Sequence, residues 1–180
     1  MNKGEVVTKS ILISTFIMLC VTIIESSILS NISFLYVVPD LVLICSIYYS
    51  MLNGKLVGET TGFISGLFLD FITGIPFGFN CLYRTIIGYI AGIFSNIIII
   101  NGIFIPMLGV GAATIVKALL IKLISIFFPN TNVYVTGLIS YEFLFEFIEN
   151  IILAPFVFKF LGFFKKALML KSTQDKVDNV

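Results

Sequence analysis

An all-α integral membrane protein, folded as a bundle of six transmembrane helices, is what this sequence predicts, and three observations carry the prediction. Of its 180 residues, 58% are hydrophobic and 12% are charged, whereas a soluble domain carries about a quarter charged residues. Mean hydropathy is +1.09, so polar groups are too few to cover a water-facing surface, and lipid is the solvent that tolerates such a surface. Six stretches then read as helices able to cross a hydrocarbon core of ~30 Å: residues 9–29, 38–53, 56–73, 79–100, 103–128 and 137–161.

Each element has its own signals. Lys3 and Lys9 give the first stretch a basic start, but the run from Ser10 to Leu29 is too long for a signal-peptide core. No A-x-A-like cleavage site follows it, so it is read as a span. The second and third spans are short and are joined by Asn53-Gly54-Lys55, a turn signal. The breaker-rich run from Thr73 to Asn80 separates the third from the fourth, and Pro129-Asn130-Thr131-Asn132 opens the loop before the sixth. Residues 1–164 are thus read as one six-span membrane domain and residues 165–180 as a polar cytoplasmic tail.

Basic residues set the orientation. Eight of the eleven (Lys3, Lys9, Lys55, Lys159, Lys165, Lys166, Lys171 and Lys176) fall at the termini or in the 53–55 turn, and none lies in the loops around 30–37, 74–79 and 129–136. With six spans every basic segment lies on one side, and the positive-inside rule makes that side, with both termini, cytoplasmic. The chain lacks Trp, so Tyr36 and Tyr134 are expected at the outer interface and Tyr48 and Tyr49 at the inner one.

Several classes of function are disfavoured. A net charge of +1, without a basic patch interleaved with aromatics, argues against a nucleic-acid partner. Cys20, Cys45 and Cys81 have no metal-like spacing and read as small buried apolar residues. There is no His, which removes the commonest zinc ligand and the side chain that titrates near neutral pH. No catalytic residue, metal ligand or cofactor is assigned.

Charges inside the spans are the chemistry that remains: Arg84, Lys117 and Lys122 against Glu25, Asp40, Glu59, Asp70, Glu142, Glu146 and Glu149. Each is costly in lipid and should pair, face inward or reach water. Helix rise puts Glu25, Asp40, Asp70 and Arg84 within roughly 3–6 Å of the outer boundary. Separate solvation at the interface would account for them, but an internal network is the favoured reading. Arg84 cannot readily be neutralised, and Asp70 is its nearest candidate partner, with Asp40 and Glu25 as alternatives. Glu142, Glu146 and Glu149 share one helix face, which should meet the fifth span, a partner or water. Lys117 and Lys122 point ~140° apart, so both cannot aim at one seam. The candidate polar network is Glu25, Asp40, Asp70, Arg84, Lys117, Lys122, Glu142, Glu146 and Glu149.

Gly54, Gly58, Gly62 and Gly66 form a four-residue ladder, repeated by Gly88 and Gly92 in the fourth span. Such grooves let backbones approach closely in lipid, either within one chain or at the docking face of a partner helix.

Pro39-Asp40-Leu41 opens the second span and Gly62-Phe-Ile-Ser-Gly66-Leu-Phe-Leu-Asp70 closes the third. Gly74-Ile-Pro76-Phe-Gly78-Phe-Asn80 and Gly88-Tyr-Ile-Ala-Gly92 follow. In order and spacing this combination resembles the rod shape-determining protein MreD family. The resemblance makes Pro39, Asp40, Gly62, Gly66, Asp70, Gly74, Pro76, Gly78, Asn80 and Gly88 a structural signature. It implies a non-enzymatic scaffold of bacterial cell elongation and peptidoglycan synthesis in the cytoplasmic (inner) membrane. Its partners would be MreC, near MreB, RodA and its partner transpeptidase. The family's fold also resembles the six-helix S component of energy-coupling-factor transporters, so a true transporter S component is the alternative. The first span, Ile11–Cys20, lacks the Ala-x3-Ala docking motif of such subunits. An intramembrane enzyme is disfavoured by the absence of a convincing nucleophile–base pair.

The topology is directly testable. In a background without native cysteines, single cysteines at 30–37 and 130–135 should react with a membrane-impermeant reagent in intact cells. Reaction only after permeabilisation would invert the orientation.

Overall fold

The computed structural model describes residues 3–27, 37–96, 102–127, 137 and 140–165. These residues form six α-helices: α1 (Lys3–Ser27), α2 (Leu41–Asn53), α3 (Lys55–Thr73), α4 (Phe79–Ile93), α5 (Phe104–Ser125) and α6 (Tyr141–Gly162). The 3-10 turn Phe94–Asn96 extends α4. There is no strand among the described residues. Tyr36, Tyr134, the loops 28–36 and 128–136, and the tail beyond Lys165 lie outside them.

The local signals act as their chemistry requires. Pro39 disfavours a helical conformation at the residue before it, and Asp40 caps α2 by accepting from the Leu43 N–H at 2.7 Å. Gly54, at φ 90° and ψ −174°, takes a backbone conformation essentially closed to other residues, and there α2 turns directly into α3. Gly54 is therefore a hinge between helices and not a rung of the expected ladder. Gly74 (φ 66°) stops α3, and Gly78 (φ 95°) starts α4.

α2 is the axis of the bundle. It packs against all five other helices, which surround it in the order α1, α3, α4, α5, α6. Its residues from Val42 to Leu52 are at most 5% exposed. A helix that is apolar on every side belongs inside a protein, and α2 fits that rule. Its 13 residues span only ~20 Å, shorter than the hydrocarbon thickness expected for the second span. Tyr48 and Tyr49 consequently do not form an inner interfacial belt: both are buried, and Tyr48 meets Phe158 of α6 edge-to-face at 5.1 Å between ring centroids. Likewise Cys45 and Cys81 are buried as expected, whereas Cys20 faces outward on α1. The α-helical part of the fourth span stops at Ile93, short of the expected 100.

The exterior is apolar. Phe16, Phe104, Leu108, Phe156 and Phe160 are all more than 60% exposed, and surfaces of this kind mark contact with a membrane or a partner. α3 and α5 are each long and apolar enough to cross a membrane.

α3 and α4 are bound most closely. A Cβ added at Gly66 would lie 2.5 Å from Cys81 Cα, and one at Gly92 would lie 2.5 Å from Lys55 Cα. Gly58 and Gly88 press on each other's backbone, and Gly62 presses on the Arg84 carbonyl. The ladder is thus used for packing within the chain, where missing side chains allow backbone contact.

A side chain at Gly62 must push α4 away, and overpacking typically costs ~1–3 kcal/mol or more. Gly62→Leu should lower membrane abundance several-fold, while Gly162→Leu, where a Cβ meets nothing within 4 Å, should not. Quantitative immunoblotting of membrane fractions compares the two. Equal abundance would show that the α3–α4 contact is dispensable.

Candidate functional site: an ion network around the head of α2

The first turn of α2 begins inside the bundle, where its free N–H groups have no water to meet. Side chains from other helices satisfy them. The Val42 N–H donates to Glu25 Oε2 of α1 at 2.9 Å. The Leu43 N–H donates to Asp40 Oδ1, and the Asp40 N–H donates to Asn150 Oδ1 of α6 at 2.9 Å. Two carboxylates at a helix N-terminus also oppose its partial positive charge favourably.

Asp40 is the hub. Arg84 Nη2 of α4 donates to Asp40 Oδ1 at 3.0 Å and to Oδ2 at 3.1 Å. Lys117 Nζ of α5 donates to Asp40 Oδ2 at 2.6 Å and to Glu146 Oε1 of α6 at 2.6 Å. Asn150 Nδ2 donates to Thr114 Oγ1 of α5 at 3.3 Å. Arg84 is 3% exposed, and its guanidinium also lies 5.4 Å from the Tyr83 ring centroid. Three carboxylates (Glu25, Asp40, Glu146) and two cations (Arg84, Lys117) join five helices, and the α2 N-terminus supplies further partial positive charge.

This geometry corrects the expected pairing of Arg84 with Asp70. Asp70 is buried but does a different job: its carboxylate accepts from the Gly78 N–H at 2.8 Å, the Asn80 N–H at 2.9 Å and Asn80 Nδ2 at 2.9 Å. It closes the α3–α4 loop and caps α4. Asn80 Oδ1 in turn accepts from the Tyr83 hydroxyl at 2.8 Å. Neighbours in sequence and depth were not partners, because three backbone and amide donors in the loop saturate Asp70 while Arg84 turns toward α2.

Of the nine candidate network residues, Glu25, Asp40, Arg84, Lys117 and Glu146 come together. Lys122 is exposed on α5 and makes no ion pair among the described residues, in keeping with its offset from Lys117. Glu142 is half-buried in the first turn of α6 and takes no part in the ion pairs of the described residues. Glu149 is also half-buried, with its Oε2 sealed off and lacking a hydrogen-bond partner among the described residues. The three glutamates do not act as one face, because only Glu146 reaches Lys117. Asn150 and Thr114 were missed. The available signal was an amide four residues after Glu146, on the same face of an apolar helix.

The signature residues sort into three places: Pro39 and Asp40 at the head of α2, Gly62, Gly66 and Gly88 in the α3–α4 contact, and Asp70, Gly74, Pro76, Gly78 and Asn80 in the loop between those helices. No group of three or more metal-ligating side chains gathers among the described residues.

A helical bundle with an apolar exterior, a fully enclosed central helix and buried charges paired at that helix's head belongs to the class of helical membrane proteins. The model of the family described as rod shape-determining protein MreD matches residues 7–164. The chain belongs to the MreD family, a bacterial membrane family of shape-determining proteins that is not known as enzymatic. No curated protein and no solved structure matches it.

Removing the Asp40 charge strands Arg84 and leaves Lys117 only Glu146, and stranding a buried charge typically costs ~3–5 kcal/mol. Folded yield in mild detergent should fall sharply for Asp40→Asn, and Asp40→Asn combined with Arg84→Met should be less damaging than the two effects added. Asp70→Ala and Arg84→Met should be additive. Additivity of the first pair, or coupling of the second, would contradict the pairing described.

Proposed function

We propose that this chain is a non-enzymatic, six-span scaffold of the bacterial cell-elongation machinery, with both termini in the cytoplasm. It would act in cell shape and peptidoglycan synthesis by holding MreC, near MreB, RodA and its partner transpeptidase. The observation that carries the reading is the family match over residues 7–164, and the geometry is compatible with it. Arg84, Lys117, Asp40 and Glu146 bind one another instead of lining a reactive cleft, and a network that joins five helices favours a rigid body over a moving one. The six-helix arrangement is also the one expected of an energy-coupling-factor S component. The alternative of a true transporter subunit gains nothing from the family match.

Depletion should widen or round a rod-shaped cell, and wild-type protein should restore its width. Asp40→Asn should fail to restore it in proportion to its loss of abundance. Purified protein that alone turned over a cell-wall precursor would overturn the scaffold reading, as would depletion that left shape unchanged but abolished uptake of a vitamin.

A further inference from the structure

Glu149 is a charge that the network leaves unanswered. It lies eight residues into α6, or ~12 Å along the helix from Tyr141. Its Oε2 is enclosed by the chain with no hydrogen-bond partner among the described residues, so the carboxylate can be met from outside only through its other oxygen. The side chains around it on the surface are apolar: Ile148 and Ile152 are half exposed and Phe156 more so. An ionised carboxylate in this setting costs a few kcal/mol unless a cation meets it.

No cation among the described residues is placed against it. Arg84 and Lys117 are engaged at Asp40, and Lys55 lies over the Tyr89 ring. Lys159 is ten residues further along α6, ~15 Å away along the axis, and Lys165 is further still. Lys3 and Lys9 belong to the start of α1, at the opposite face of the membrane from the head of α6 in the six-span reading. Segments 28–36, 97–101 and 128–139 contain no Lys or Arg. Lys122 belongs to α5, which runs antiparallel to α6 with Lys117 level with Glu146. Lys122 is five residues beyond Lys117 in one direction and Glu149 three residues beyond Glu146 in the other, so the two lie ~12 Å apart along the bundle.

We propose that the flank of α6 formed by Glu149, Ile152 and Phe156 is a docking surface for a transmembrane helix of another protein that carries a Lys or Arg at the depth of Glu149. Offsets of three and four residues make this flank a continuous seam for a helix, and the carboxylate supplies charge complementarity. A second copy of this chain fits poorly: its Arg84 and Lys117 are already buried in pairs, and its exposed Lys122 lies ~12 Å from the depth of Glu149. The proposal rests on the six-span reading, which embeds α6 in lipid.

The test uses the full-length protein in native membranes. A photo-crosslinking residue replaces Ile152, and a control replaces Leu119, exposed on α5. The expected result is a discrete adduct from position 152 only, mapped by mass spectrometry to a transmembrane helix with a Lys or Arg within one turn of the linked residue. Glu149→Gln should reduce it by roughly tenfold or more, the loss of one membrane charge pair. If that variant accumulates poorly, Phe156→Ala, which narrows the seam without touching the carboxylate, should also reduce the adduct. An adduct insensitive to both changes, an adduct to a second copy of the chain, or lipid adducts alone would overturn the proposal. A cysteine at 152 tells the two readings apart. Its reaction with a water-soluble reagent would refute the membrane placement of α6, whereas its protection without an adduct would refute the docking surface alone.

Discussion

Everything at the head of this bundle depends on one carboxylate held away from water. Asp40 caps its own helix, accepts from Arg84 and Lys117, and presents its backbone N–H to Asn150. A buried ion pair is weak evidence of net stability, because desolvation offsets much of the attraction. Its value here is positional. α2, α4 and α5 are fixed at one level because a single acid must satisfy donors from all three, α6 joins them by accepting the Asp40 N–H at Asn150, and a helix sliding by one residue would break several bonds together.

The two halves of the bundle are held by different physics. α3 and α4 are joined by backbone contact at glycines, which is short-ranged and tolerates no added atoms. α5 and α6 instead contribute few buried side chains of their own. Lys117, Glu146, Thr114 and Asn150 supply their polar attachment to the head of α2. Steric fit governs one side of α2 and electrostatics the other.

Helix number and rough limits were legible because composition and turn residues act locally. Gly54, Gly74 and Gly78 mark their turns in the sequence as clearly as in the fold. Depth grouped Glu25, Asp40, Asp70 and Arg84 near one level without saying which of them touch. Which acid would hold Arg84 was not legible, since Asp70 is closer in sequence and only the loop geometry shows its oxygens already occupied. Tyr48 and Tyr49 were misplaced for a related reason. Depth says how far along a helix a side chain lies, but not whether lipid or protein surrounds it, and α2 is ringed by protein. Asn150 went unnoticed because an uncharged amide does not announce a need for partners as a carboxylate does.

The brevity of α2 has a consequence for how the molecule meets bilayers of different thickness. A 13-residue helix bordered by lipid would force the bilayer to thin around it. Enclosed by its neighbours, it imposes no such demand. Adjustment to thickness falls instead to the ends of α1, α5 and α6, which at 25, 22 and 22 residues reach past the level at which the network holds them. The core is thereby mechanically insulated, and the arrangement around Asp40 can persist while the helix ends away from it follow the lipid.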